Sequence, residues 1–296
     1  LSLITRPGDM AIGDDGALLT PPSGQQMVVV TDTLVSGVHF LADANPYDIG
    51  WKALAVNLSD LAAMGATPAC YSLALTLPQQ DEAWLTAFSQ GLNACAAGRL
   101  PLIGGDTTRG ALTITISAQG WVPSGQALLR SGAQLGDDIY VSGFIGDAGA
   151  GLALARLGRV ANDDEQALLD KLHRPQARLA LGEALRGVAH SAIDVSDGLM
   201  ADLQHVLQAS KVGASLRLAD IPVREAVKQW AAEDALKPLR AGDDYELCFT
   251  AATGRRRELQ AIANQLDLPL YRIGEIVSSP GLVIDGVAQT QGLGYQ

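Results

Sequence analysis

The stretch VVVTDTLVSGVHF, residues 28–40, places three β-branched residues directly before a hydroxyl and a carboxylate. Val28, Val29 and Val30 favour a buried strand, because branched side chains pack well on a pleated surface. Asp32 follows at once, and a charge beside a core is costly unless something meets it. The strand therefore asks what Asp32 holds. A lone histidine, His39, comes seven residues later.

Outward from this point, strands and helices alternate. Residues 27–32 are expected as a strand. Residues 46–64 read as a helix, with Asn45 as its cap, Pro46 at its first position and Gly65 at its stop. A strand is expected over 70–77, a helix over 82–97 between Asp81 and Gly98, and strands over 100–104 and 112–120. After the turn at Asp137-Asp138 a second series begins. Strands are expected at 138–142, 192–195, 214–218, 245–250, 270–277 and 281–285. Helices are expected at 147–158, 164–172, 176–189, 198–210, 223–234 and 255–265. The alternation predicts an α/β (α+β) protein of two domains, 1–136 and 137–296.

The 296 residues suit two domains of roughly 150 residues each. With 48% hydrophobic and 18% charged residues the chain is expected to be globular. It has no apolar run of about 18 residues, so no membrane span is expected, and its first residues carry no signal-peptide pattern. Cys70, Cys95 and Cys248 lie scattered in apolar stretches and read as reduced core residues of a cytoplasmic protein, with neither disulfides nor zinc. The net charge of −11 argues against nucleic acid and anionic membranes as partners. It does not argue against anionic small ligands, because a divalent cation can bridge an acidic site to a phosphate.

Acidic residues recur where apolar strands end or helices begin: IGDDGALL (Asp14, Asp15), VVVTDT (Asp32), NLSDLAAMG (Asp60), LIGGDTTRG (Asp106), AIDVSDGL (Asp194, Asp197) and AGDDYELCF (Asp243, Asp244). Each has an ordinary explanation. Asp after Gly is common in turns, and Asp197 before Gly198 can cap a helix. Taken together they suit hard divalent cations, which Mg²⁺ exemplifies by binding a few carboxylates plus substrate phosphates. Asp60, inside an otherwise apolar helix and one turn after Asn57, strengthens that reading. No P-loop and no protein-kinase motif set is present. SGFIGDAGAG leads from a strand into a helix; its amides can cradle a phosphate, or its glycines can serve close packing. Arg109 and Arg130 are candidate cations for a phosphate, or solvated surface residues.

In this order, IGDDGALL, TDTLVSGVHF, KALAVNLSDLAAMGATP, LIGGDTTRG, RSGAQLGD, SAIDVSDGL and GDDYELCF resemble the thiamine-monophosphate kinases. These form a branch of the ATP-binding superfamily of aminoimidazole ribonucleotide synthetase. The resemblance implies a two-domain fold. Its N-terminal mixed sheet with helices forms a homodimer interface, and its C-terminal domain is α/β. It implies phosphorylation of thiamine monophosphate by ATP, with several Mg²⁺ ions. Residue by residue, it implies that Asp15, Thr31, Asp32, Asp60, Asp106, Asp194 and Asp197 hold metal. It implies that Gly105, Asp106, Arg130 and Ser196 touch ATP, and that His39, Asp243 and Tyr295 face the thiamine phosphate. No acid–base residue is expected. The opening segment before IGDD is shorter than is usual in the family, and Val30 stands where relatives often carry a hydroxyl. Rival readings are another ATP-dependent synthetase of the superfamily and a noncatalytic nucleotide-binding module. A selenophosphate synthetase is disfavoured, because no Cys lies near the N-terminus.

Overall fold

The computed structural model describes residues 15–98, 100–158 and 162–289. The chain divides into two compact units. The first runs to Gly125; the second begins at Gln126 and includes the segment Ala62–Gly65.

The first unit contains β1 (Gln25–Val35), α1 (Pro46–Ala63), β2 (Thr67–Leu77), α2 (Glu82–Cys95), β3 (Leu102–Arg109) and β4 (Thr113–Pro123). Its four-stranded sheet has the order β1-β4-β2-β3. Pairing is antiparallel except between β2 and β3, which α2 joins as a crossover. Burial alternates along β4, with Ile114, Ile116 and Ala118 buried, so one face of the sheet is covered. Asn45 Oδ1 accepts the Tyr47 amide at 2.9 Å, and Asp81 Oδ1 accepts the Trp84 amide at 3.0 Å. Both helices therefore start where short polar side chains satisfy an otherwise orphaned N–H.

β1 continues three residues past its expected end, because Thr33, Leu34 and Val35 pair with Thr115, Ile114 and Thr113. Asp32 thus lies inside a strand, not at its end. β3 likewise runs on to Arg109, which places Gly105 and Asp106 within it. A Cβ at Gly105 would fall 1.9 Å from the Leu73 carbonyl oxygen, so glycine is what lets β3 lie this close to β2.

The second unit contains β5 (Asp138–Ser142), α3 (Asp147–Leu157), α4 (Asp163–His173), α5 (Leu179–Ala184), β6 (Ser191–Asp194), α6 (Leu199–Ser210) and β7 (Gly213–Leu216). It continues with α7 (Glu225–Ala231), α8 (Lys237–Arg240), β8 (Leu247–Ala251), α9 (Arg256–Leu266), β9 (Leu270–Val277), β10 (Gly281–Ile284) and β11 (Val287–Gln289). The strands form one sheet in the order β11-β10-β7-β9-β5-β8-β6. β5 and β8 are buried along their whole length, because apolar clusters cover both faces. One cluster gathers Ile139, Val141, Ile193, Leu199, Leu203 and Ile273; the other gathers Tyr140, Leu181, Leu185, Leu247 and Phe249.

Most expected elements are present, with ends shifted by a few residues. The helix expected over 176–189 is cut to α5, and the chain turns at Gly187, whose φ is +70°. α8, with 4 residues, and β11, with 3, are too short to show a period in the sequence.

α1 and α2 touch backbone to backbone. A Cβ at Gly91 would lie 1.9 Å from the Tyr47 carbonyl oxygen, and one at Gly50 2.2 Å from that of Phe88. Gly91→Ala is therefore expected to force the helices apart and cost about 1–3 kcal/mol, as overpacking does. Chemical denaturation measures this; an unchanged unfolding midpoint would refute it.

Candidate active site

In the first unit, Asp32 shares the helix-covered face of β1 with Val28, Val30 and Leu34, two residues apart each time. Asp60 of α1 hydrogen-bonds its carboxyl. Burial pushes the Asp32 carboxyl above its ordinary range, while His39 and the bond from Asp60 draw it partway back. Two carboxyl groups that meet in this way share a proton or a cation. One turn before Asp60, Asn57 is fully buried. Its Nδ2 donates to the Ala53 carbonyl at 3.1 Å, but its Oδ1 has no hydrogen-bond partner among the described residues.

His39 lies in the loop after β1. The Val35 amide donates to its Nδ1 at 3.0 Å, so a neutral ring carries its proton on Nε2. The buried Lys52 ammonium donates to the His39 carbonyl at 3.2 Å and ties the same loop to α1.

Thr31, Gly105 and Asp106, also expected in this unit's site, lie on the other face of β1 or on β3, at the far edge of the sheet. Thr31 precedes Asp32 and therefore faces the opposite side of the sheet, with its Oγ1 3.0 Å from Ser117 Oγ. Gly105 aligns with Asp32 across the sheet through Leu73 and Ile116. Three strand spacings separate them, about 14 Å. Asp106 is exposed on β3, and Asp15 is exposed ahead of β1.

In the second unit, four expected residues converge. Asp194 ends β6 and is buried. Beyond it, the pairing of β6 with β8 carries on through the loops. The Val195 amide donates to the Glu246 carbonyl, the Tyr245 amide to the Val195 carbonyl, and the Asp243 amide to the Ser196 carbonyl, each at 2.8 Å. Ser196, Asp197 and Asp243 are thereby set beside one another. Gly242 must be small here, since a Cβ would lie 2.4 Å from the Ser196 carbonyl oxygen.

Asp202, in the first turn of α6, holds the other side of this loop. Its Oδ2 accepts the amides of Ser196 and Asp197 at 2.9 and 3.0 Å. Burial, then the neighbouring Asp194, push its carboxyl up to about 7. Asp197 does not cap α6; the cap position is Gly198, at φ +110°. Sequence reasoning missed Asp202, although its signal was present: a carboxylate between Leu199, Met200, Leu203, Val206 and Leu207 on a buried helical stripe.

The glycine-rich turn after β5 has its amides occupied. Gly146 N and Ala148 N donate to Asp244 at 2.7 and 3.2 Å, and Asp244 is buried. The phosphate cradle considered from the sequence is thus filled by the protein's own carboxylate. The glycines also serve packing: a Cβ at Gly151 would lie 2.4 Å from the Leu168 carbonyl oxygen. Arg130 is exposed, and its carbonyl accepts Ser210 Oγ at 3.2 Å. Tyr295 lies outside the described residues. Among the described residues no three His, Cys, Asp or Glu side chains gather closely enough to hold a metal ion.

Known proteins match both units. The N-terminal domain of AIR synthase related proteins matches residues 13–122, and the C-terminal domain of the same proteins matches residues 134–286. The chain is 49% identical over 275 residues to the thiamine-monophosphate kinase of Escherichia coli strain K12, covering 91% of this chain and 85% of that one. It is 45% identical over 271 residues to the Haemophilus influenzae enzyme of the same name, covering 90% and 83%. The crystal structure of thiamine-monophosphate kinase from Stenotrophomonas maltophilia K279a superposes with a TM-score of 0.90 at 49% identity, over 95% of this chain and 92% of that one. The structure of AaThiL complexed with AMPPCP and TMP superposes with a TM-score of 0.83 at 29% identity, over 95% and 90%. The chain belongs to the thiamine-monophosphate kinases of the AIR synthase related family.

Proposed function

We propose that the protein transfers the γ-phosphoryl group of ATP to thiamine monophosphate, giving ADP and thiamine diphosphate, by direct in-line displacement with Mg²⁺. The observation that carries this reading is the family match across both units, which includes a relative captured with AMPPCP and TMP. The acceptor is itself a phosphate with a second pKa of about 6, so it is largely dianionic at neutral pH. It needs no base to become a nucleophile. The difficulty is to bring two anions together.

The donor chemistry fits Mg²⁺. The Asp32–Asp60 pair and the buried Asp194 offer hard oxygen ligands in surroundings that penalise bare charge, and the orphaned Asn57 Oδ1 lies one turn from Asp60. Mg²⁺ ordinarily takes only one or two carboxylates and completes its shell with water and phosphate, so pairs suffice. When bound, the cation neutralises phosphate charge and stabilises the transferring group. In this reading Asp15, Thr31, Asp32, Asp60, Asp106, Asp194 and Asp197 hold the ions. Gly105, Asp106, Arg130 and Ser196 bind ATP, and His39, Asp243 and Tyr295 orient the acceptor. His39, fixed at Nδ1 by the Val35 amide, orients the acceptor and abstracts no proton.

Two finer assignments belong here. The exposed Met27 and Val29 on the edge strand β1 suit pairing of the first unit with a second copy. The free cysteines Cys70, Cys95 and Cys248 suit a reducing cytoplasm, and among the described residues no helix is long and apolar enough to cross a membrane.

Purified protein given Mg²⁺-ATP and thiamine monophosphate is expected to form ADP and thiamine diphosphate in equal amounts. ADP alone would refute the acceptor, and neither product would refute the kinase reading. Asp32→Ala is expected to lower kcat at least about 100-fold, the scale of losing one preorganised electrostatic contact. Its melting temperature should hold, since a desolvated carboxyl is removed; an active variant would refute the role. Mg²⁺ is expected to raise the melting temperature of the wild type and to do so less in Asp60→Ala, by the linkage of ligand binding to folding. Equal shifts in both would exclude Asp60 as a ligand.

A further inference from the structure

The tetrapeptide Asp243–Glu246 concentrates unusual backbone and buried charge. Asp243 and Tyr245 both adopt left-handed φ, +70° and +50°. Aspartate tolerates this region, but a bulky aromatic residue does not adopt it readily. Such conformations are strained and persist only where the surroundings over-determine them. Here the surroundings do so from three sides. Asp244, between the two, is anchored by the Gly146 and Ala148 amides at the start of α3. The amides of Asp243 and Tyr245 bond to Ser196 and Val195. Glu246 is gripped by both oxygens in the Arg178 guanidinium fork and also accepts Ser142 Oγ at 2.6 Å.

The charges around the anchor are arranged to keep it in place. Asp147, in the first turn of α3, is clamped by Arg224 at 2.7 Å, and Lys171 lies 3.5 Å from Glu246. Asp244 therefore stands among two other buried carboxylates, each with its own cation, while its own partners are amides. The outcome falls on Asp243: its side chain accepts the Tyr245 hydroxyl at 3.0 Å on Oδ1, from a ring that is itself buried.

We propose that Asp244 and Tyr245 are positioning residues that hold the Asp243 carboxylate in one orientation for the cationic thiamine portion of the acceptor. This rests on the reading of thiamine monophosphate as acceptor. A carboxylate fixed in advance loses little freedom when it meets the thiazolium charge or the amino group of the pyrimidine ring. One that swings freely must be ordered by the substrate, and the cost appears in acceptor affinity.

The test is steady-state kinetics of Tyr245→Phe and Asp244→Asn with each substrate varied in turn, and Asp243→Ala as the benchmark. Tyr245→Phe keeps the ring and removes only the hydroxyl, so it remains decisive even where Asp244→Asn does not fold. Each variant is expected to raise KM for thiamine monophosphate at least five-fold and to change KM for ATP less than two-fold. Unchanged KM values with a reduced active fraction would make the network merely structural and overturn the proposal. An equal rise in both KM values would overturn it as well. A wild type that forms no thiamine diphosphate would defeat the functional reading itself, an outcome separate from any difference between variants.

Discussion

A carboxylate withdrawn from water must be met by amides, by a guanidinium or ammonium group, or by a proton or cation. The protein uses all three answers, and the answer chosen tells what each acid does. Asp138, Glu246 and Asp147 are met by arginines, and these pairs brace the second unit. Asp202 and Asp244 are met by pairs of backbone amides and hold loops. Asp32 is met by Asp60, another acid, with His39 near enough to draw its carboxyl partway down. That meeting of two acids beside a histidine is what the proposed metal role rests on.

The sequence carried much of this, for physical reasons that differ from place to place. Long amphipathic or apolar segments such as α1 and α2 declare themselves because capping residues and periodic burial agree. The strand at 138–142 has an apolar centre, Ile139-Tyr140-Val141, beside the turn at Asp137-Asp138, and it is found there. Strand ends were less visible. Thr33 to Val35 belong to β1 because β4 lies alongside them, and no local pattern reports a partner some eighty residues away. The same tertiary pairing moved Gly105 and Asp106 from a turn into β3.

The candidate site was legible wherever an acidic residue broke an apolar pattern. Asp60 in α1 stood out in this way, and Asp202 in α6 breaks its stripe in the same manner. Asp244 could be seen as half of a doublet, but not as the group that fills the glycine-rich turn. The turn and the doublet are about a hundred residues apart, and each has an ordinary explanation alone. Only their meeting shows that the glycines make room for helix and loop packing while the amides serve an internal carboxylate.

This division of labour bears on how such a chain can manage chemistry between two phosphates. A reaction whose nucleophile is already ionised asks for placement and charge compensation more than for proton transfer. Proton-transfer groups are then not required, and in the proposed reading carboxylates become the useful groups, some as ligands and others as anchors. The anchors must not compete for the cations. Asp244 avoids this by giving its two oxygens to the Gly146 and Ala148 amides, and Asp202 by giving its Oδ2 to those of Ser196 and Asp197. A loop held in this way sets Asp197 and Asp243 beside one another, the Asp243 carboxylate itself steadied by the Tyr245 hydroxyl. In this sense the buried and half-buried acids of the chain are divided by what meets each oxygen: guanidinium groups, backbone amides or another acid.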